Sequence, residues 1–204
     1  IWLVGIYGTL MYIPLSGFAE LWAVPYIMET YNVNNEVASI ASIMVLLGMG
    51  LGCPLSAWLS DYLQSRRKVM SWAALGTMLF FLIAIYIPGI PLNGMFVLLF
   101  IGGLFCGGQI LYFAVAKEQS PSHASGTAIG FTNGVLMSSG FIAQPLLGLF
   151  LDLVWDGQMT ATGVRYYSAA VYQTAMTAIP AALFLAWVIM LFVKETYPKV
   201  SHVR

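Results

Sequence analysis

Long apolar segments, separated by short groups of charged or turn-forming residues, alternate along the whole of this chain. Most of them reach the ~20 residues that an α-helix needs to cross a bilayer. None shows the two-residue alternation of a membrane-spanning β-strand. The pattern predicts an all-α membrane protein with six transmembrane helices. Their predicted ranges are 2–28, 37–60, 69–87, 94–116, 125–151 and 168–193.

The predicted helices differ in polarity, and the difference recurs. The third and sixth helices are dominated by Leu, Phe, Ile and Ala, whereas the other four carry glycine, proline or amide side chains at membrane depth. Two polar-rich helices followed by one bland helix occur twice in succession. This order predicts two inverted three-helix repeats with the bland helices at the periphery.

Composition agrees with a membrane protein and excludes other classes. Of the 204 residues, 60% are hydrophobic and 8% are charged, far below the ~25% charged residues of soluble proteins. The formal net charge of zero gives no basic field for nucleic acid. Cys53 and Cys106 lie in apolar segments and His123 and His202 lie outside them, so we expect no metal, no cofactor and no enzyme.

Basic residues fall almost entirely on one side of the predicted membrane. Only Arg165 lies on the other side, so the positive-inside rule places the second, fourth and sixth connections and both chain ends in the cytoplasm. We expect a multi-pass protein of the bacterial inner membrane. The chain starts at Ile1 with no signal-like segment, which predicts a piece of a longer protein. The basic residues on the cytoplasmic side are Arg66, Arg67, Lys68, Lys117, Lys194, Lys199 and Arg204.

The first helix carries a polar stripe with a spacing of three to four residues, which places its members on one face. Its last member, Glu20, is the only acid well inside a predicted span, where an ionised carboxylate costs several kcal/mol. Glu20 is either a structural, hydrogen-bonded acid or a cavity-lining group that binds substrate or a proton. Pro14 and Pro25 predict a kinked or partly unwound segment around it. The stripe comprises Gly5, Thr9, Tyr12, Ser16 and Glu20.

The fifth helix carries a second stripe, and the fourth helix has a glycine-rich middle. Gly126, Gly130 and Gly134 in the fifth helix are spaced for close helix packing. The amides of the stripe either join helices or line a cavity. The second stripe comprises Gly126, Gly130, Asn133, Met137, Gly140, Gln144 and Gly148. The candidate substrate or proton site is Tyr12, Ser16, Glu20, Gln109, Tyr112, Asn133 and Gln144.

The segment from Ala57 to Lys68 resembles the loop signature G-x-x-x-D-R-x-G-R-R of the major facilitator superfamily through Asp61, Arg66 and Arg67. The segments Pro121–Gly130, Gly140–Gly148 and Lys194–Thr196 are similar to other motifs of that family. The loop signature is degenerate, as is more usual in the C-terminal half. The resemblance implies half of a major facilitator fold, helices seven to twelve, with an N-terminal half as the alternative.

The resemblance also implies secondary active transport of a small organic solute by alternating access, with proton coupling as one form of it. The expected partners are a missing N-terminal half or a second copy of this chain, a small-molecule substrate and membrane lipids. That partner is expected to cover the polar stripes and the glycine surfaces of the second and fourth helices. Different readings are a non-transporting scaffold or receptor domain, and a pore within one half, for which no filter sequence is present.

In this family the loop after the second helix acts as a cytoplasmic gate. The resemblance therefore assigns a gating cluster to Asp61, Arg66, Arg67 and Glu118. The alternative is an ordinary solvated loop whose ion pairs contribute little to stability.

Overall fold

The computed structural model describes residues 1–160 and 163–197, and in this part of the chain six helices are long and apolar enough to cross a membrane. The predicted all-α membrane fold is therefore confirmed. We number the helices α1 to α6 in chain order. They span Trp2–Tyr31, Asn35–Tyr62, Arg66–Tyr86, Leu92–Glu118, Ser125–Leu153 and Ala169–Phe192.

Several helices extend beyond the predicted spans because polar caps, which hydropathy does not detect, set their ends. Asn34 begins α2 by accepting a hydrogen bond from the backbone N–H of Val37 at 3.0 Å. Ser65 begins α3 in the same way through Lys68, at 3.3 Å. Asn32 follows the last residue of α1 as its C-terminal cap and has a left-handed backbone with φ of 50°. The segment 169–192 begins and ends one residue inside its prediction.

Three helices are irregular at membrane depth. In α1 the segment Pro14–Trp22 is π-helical. The segment predicted to be kinked or partly unwound is therefore a continuous helix that is wider than an α-helix. In α4 the segment Gly107–Ile110 is a tighter 3-10 helix. In α6 the regular helix is interrupted between Ala175 and Ala178. The irregular segment of α1 is thus wider than an α-helix, and that of α4 is narrower.

The helices form two faces. α3 and α6 pack against each other, and each also packs against one inner helix, α4 or α1 respectively. Their outer surface is the back face, which exposes Trp72, Leu79, Phe184 and Leu185. The opposite surface is the front face, on which α1 exposes Glu20 and Leu21 and α5 exposes Asn133, Met137 and Phe141. As predicted, the bland helices lie away from the polar surface.

The helix contacts are symmetric between the two halves of the chain. Exchanging α1, α2 and α3 with α4, α5 and α6 maps the α1–α5 contact onto α4–α2, and the α1–α6 contact onto α4–α3. Each middle helix also contains one proline at a similar position along its length, Pro54 in α2 and Pro145 in α5. This pattern agrees with the predicted pair of inverted three-helix repeats.

Glycines bring α2 and α4 into backbone contact. A Cβ added at Gly48 would lie 2.1 Å from the carbonyl oxygen of Phe100, and one at Gly103 would lie 2.3 Å from a backbone oxygen of α2. Gly52 and Gly107 leave equally little space. The expectation that these glycine surfaces are left for a missing partner is therefore wrong, because they are used within this chain.

Candidate functional site

Most of the α1 stripe packs on α5 and does not reach the front face. The Thr9 hydroxyl donates to the carbonyl of Val135 at 2.9 Å. The Ser16 hydroxyl lies 3.3 Å from that of Ser139, and Ser16 is only 1% exposed. These groups therefore have partners within the chain, which corrects the expectation that the whole stripe faces outward.

Glu20 leaves that stripe and lies exposed on the front face. Both residues lie in the π-helical segment Pro14–Trp22, but Ser16 is buried against α5 whereas Glu20, four residues later, is exposed. Within the described residues its carboxylate makes no hydrogen bond and no ion pair. A carboxylate at membrane depth needs water, a proton or a charged or polar partner. The structure therefore leaves the Glu20 carboxylate open to a group from outside this chain.

Beside Glu20, α1 and α5 enclose a groove with a volume of about 680 Å³. The indole N–H of Trp22 is buried there without an acceptor among the described residues. The Gln144 amide nitrogen donates to the carbonyl of Ser16 at 2.9 Å, which fixes the amide and leaves its oxygen without a donor in the described chain. The groove therefore combines an apolar wall with a few fixed polar groups, as small-molecule sites do. Its lining is Leu21, Trp22, Met137, Gly140, Phe141, Gln144, Pro145 and Gly148.

The remaining candidate residues lie deeper. The Tyr112 hydroxyl donates to the Asn133 side-chain oxygen at 3.3 Å, which joins α4 to the exposed stripe of α5. Tyr12 is half-buried. Gln109 is only 2% exposed, and its amide nitrogen lies 3.6 Å from the sulfur of Met49 in α2. Its amide oxygen has no partner among the described residues. The structure thus groups Glu20, Asn133 and Gln144 on the front face and keeps Gln109 at the α2–α4 contact.

Three glycines of α5, Gly126, Gly130 and Gly134, do not pack against any described residue of another helix. A Cβ added at Gly126, Gly130 or Gly134 would meet no atom within 4 Å. Their predicted role in close helix packing is therefore not fulfilled by any described helix of this chain.

The sequence analysis did not identify Trp22 and Phe141 as groove residues. Trp22 lies two positions after Glu20, and an aromatic side chain so close to a carboxylate at membrane depth could have indicated it.

Arg66 is the centre of a charged cluster at one end of the bundle. Its guanidinium lies 2.7 Å from the carboxylate of Asp61 and 3.3 Å from that of Glu118. It also donates to the Ser60 hydroxyl at 3.0 Å and lies 4.9 Å from the centre of the Tyr197 ring. The cluster therefore joins α2, α3 and α4. Arg67, in contrast, donates to the carbonyl of Leu191 at 2.8 Å and is not part of it.

The segment after α6 closes this cluster. The Thr196 hydroxyl donates to Glu118 at 2.6 Å. The Glu195 carboxylate accepts hydrogen bonds from the Ser65 hydroxyl and from the backbone N–H groups of Arg66 and Arg67. Burial raises the pKa of Glu195, but these hydrogen bonds and one from a neighbouring backbone N–H outweigh it and hold the pKa below its ordinary value. The sequence analysis did not include Glu195 in the cluster.

The other end of the bundle is held by a separate set of contacts. Arg165 forms an ion pair with Asp152 at 2.5 Å and lies 4.9 Å from the centre of the Trp155 ring. The hydroxyl of Tyr166 donates to Glu29 at the end of α1. Among the described residues, no group of three or more His, Cys, Asp and Glu side chains could hold a metal ion.

This architecture matches a known family. The family model of the Major Facilitator Superfamily matches residues 5–204. The chain belongs to the Major Facilitator Superfamily. It is therefore a multi-pass integral membrane protein.

Two relatives of this chain are named as transport proteins. The gentisate transporter of Corynebacterium glutamicum is 27% identical over 179 residues, which are 87% of this chain and 37% of that protein. The probable hexose phosphate transport protein of Chlamydia muridarum is 29% identical over 147 residues, 69% of this chain and 32% of that protein. This chain thus spans about a third of these relatives.

A solved structure shows the same fold. The xylose transporter XylE from E. coli, in a partially occluded inward open conformation, matches with a TM-score of 0.69 and 16% sequence identity. The match covers 96% of this chain and 50% of the transporter. The six helices therefore correspond to one half of a major facilitator fold.

Proposed function

We propose that this chain is half of a secondary active transporter that moves a small organic solute by alternating access. Membership of the superfamily supports transport, and the unpartnered Glu20 carboxylate beside the α1–α5 groove is the single observation that supports a binding site at this position. A second half, which would cover the front face, supplies the other wall. The degenerate loop signature favours the C-terminal half, and the upstream coding sequence would test this directly.

The charge distribution supports a neutral or cationic solute, or a proton, at this half of the site. All Lys and Arg residues among the described residues lie at helix ends or in connections, whereas Glu20 lies at membrane depth. An anionic solute would need its positive partner from the other half. The apolar wall beside Glu20 would accommodate an apolar part of the solute.

We propose that the end carrying Arg66 faces the cytoplasm and that the membrane is the bacterial inner membrane. The structure brings the α2–α3 connection, the end of α4 and the segment after α6 to one end, while Glu29 and Arg165 lie at the other. The positive-inside rule then orients the bundle. In this orientation Asp61, Arg66 and Glu118 act as a cytoplasmic latch that stabilises one access state.

The Glu20→Gln variant of the whole transporter tests the coupling role. Uptake of labelled xylose, gentisate and hexose phosphate would be compared in proteoliposomes with and without an imposed pH gradient. We expect the variant to lose gradient-driven uptake of the transported solute while solute exchange persists. The reason is that a glutamine amide, unlike a carboxylate, does not bind and release a proton.

Glu36→Gln is the matched control, since Glu36 is an exposed acid in the first turn of α2. It should leave both forms of transport unchanged. Gradient-driven uptake that persists in Glu20→Gln would remove Glu20 from coupling. If the whole transporter without substitutions moves none of the solutes in a broad panel, the transport proposal itself is contradicted.

A further inference from the structure

A second groove lies on the back face, at the end of the bundle that carries the Arg66 cluster. It has a volume of about 620 Å³ and is bounded by α3 and α6. We call the polar part of its lining, which includes Arg67, Lys68 and Ser71, the rim, and the apolar part, which includes Trp72, Trp187 and Leu191, the floor. The front-face site uses none of these residues.

The rim has an excess of accessible positive charge. Lys68 is exposed, and no carboxylate among the described residues forms an ion pair with it. Arg67 uses one guanidinium nitrogen on the carbonyl of Leu191, which leaves its other N–H groups available. Glu195 also borders the groove, but its carboxylate is engaged by Ser65 and by backbone N–H groups at the start of α3. The rim therefore favours an anion.

The floor is apolar and aromatic. Trp72 is 50% exposed, and Trp187 is half-buried. Tryptophan near a helix end is typical of the boundary between hydrocarbon and headgroups. A free anion would contact only the rim, whereas an amphiphile with a negative headgroup would contact both the rim and the floor. The combination of basic rim and apolar floor therefore fits a lipid.

We propose that this groove binds an anionic phospholipid, with its phosphate at Lys68 and Arg67 and its acyl chains along Trp72 and Leu191. Basic pockets between helices on the cytoplasmic side are suited to such headgroups. The groove lies on the back face, so a second half on the front face would leave it open to the bilayer. The assignment rests on the proposed cytoplasmic orientation of this end and on the proposed second half at the front face, but it does not depend on the transported solute.

Native mass spectrometry of the detergent-purified protein tests the assignment. The protein would be titrated with phosphatidylglycerol and with phosphatidylcholine of the same acyl chains. We expect phosphatidylglycerol to bind more tightly, and Lys68→Gln to weaken that binding about fivefold, which corresponds to ~1 kcal/mol for one basic residue near the headgroups. Lys117→Gln is the matched control because Lys117 is an exposed lysine at the same end, on α4.

Three results would overturn the assignment. The first is equal binding of the two phospholipids by the unmodified protein. The second is an equal effect of Lys68→Gln and Lys117→Gln, which would indicate a general charge effect. The third is displacement of phosphatidylglycerol by millimolar inorganic phosphate in a Lys68-dependent manner, which would identify a site for free phosphate.

Discussion

Exchanging the two repeats maps the helix pair α1–α5 onto the pair α2–α4. The two pairs are nevertheless built from different contacts. α2 and α4 meet backbone to backbone through Gly48 and Gly103. α1 and α5 meet through side-chain hydrogen bonds, such as that from Gln144 to the carbonyl of Ser16. The first pair leaves no room between its backbones for a side chain or a ligand. The second leaves polar groups and a groove at its surface, so one symmetric scaffold provides both a close helix joint and a candidate site.

The largest expected difference between the pairs concerns glycine substitution. Gly48→Ala would place a methyl group 2.1 Å from the carbonyl oxygen of Phe100 and force α2 and α4 apart. We expect the free energy of unfolding to fall by about 3 kcal/mol, measured by thermal unfolding in detergent. Gly130→Ala is the control, since its methyl group would meet no atom within 4 Å. Equal destabilisation by the two variants would contradict the contrast between the pairs.

The Arg66 cluster belongs to the α2–α4 side of the comparison, because it joins both of these helices to α3. Arg66→Gln leaves the carboxylates of Asp61 and Glu118 without their cation, and we expect a loss of about 2 kcal/mol in unfolding free energy. Arg67→Gln, which removes one hydrogen bond to a backbone carbonyl, should cost less than half of that.

The latch proposal adds a second readout for the same cluster. Asp61→Asn in the whole transporter should change the ratio of cysteine labelling from the two sides of the membrane. A ratio that stays the same would favour an ordinary solvated loop.

The α1–α5 pair should tolerate loss of one hydrogen bond. Ser139→Ala removes the partner of the Ser16 hydroxyl, which keeps its bond to the carbonyl of Tyr12 at 3.1 Å. We expect a loss of about 1 kcal/mol in thermal unfolding. Ser138→Ala is the control, because among the described residues the Ser138 hydroxyl bonds only to a carbonyl of its own helix. A larger loss at Ser138 would show that the inter-helix contact contributes little.

Acid should weaken the attachment of the segment after α6 by a small amount. The pKa of Glu195 is lower in the folded protein than its ordinary value of 4.5, so its ionised form stabilises the fold above that value. This stability is lost as the pH falls through the lowered folded pKa. Thermal unfolding between neutral pH and about pH 3 should show the loss, and Glu195→Gln should show less of it. Identical acid sensitivity of the two proteins would exclude this contribution.

The fold was largely predictable because long apolar segments and Lys/Arg placement depend on the bilayer, which acts on every helix alike. The positions of site residues were less predictable because they depend on local winding. Helical periodicity places Glu20 and Ser16 on one face, but in the π-helical segment Pro14–Trp22 Ser16 is buried and Glu20 is exposed. Glycine spacing gave no indication of the partner: Gly48 packs inside the chain and Gly130 does not. Glu195 lies too far along the chain from Ser65 for local patterns to connect them.

Water accessibility of the front face in the whole transporter tests the central claim most directly. Met137→Cys on α5 and Leu79→Cys on the back face both place a thiol at an exposed position of this chain, in a background with Cys53 and Cys106 replaced. If the front face lines an aqueous cavity and the back face contacts lipid, as we propose, a membrane-impermeant thiol reagent should label the Met137→Cys protein and should not label Leu79→Cys. Labelling of neither variant, or of both to the same extent, would contradict a solute site on the α1–α5 surface.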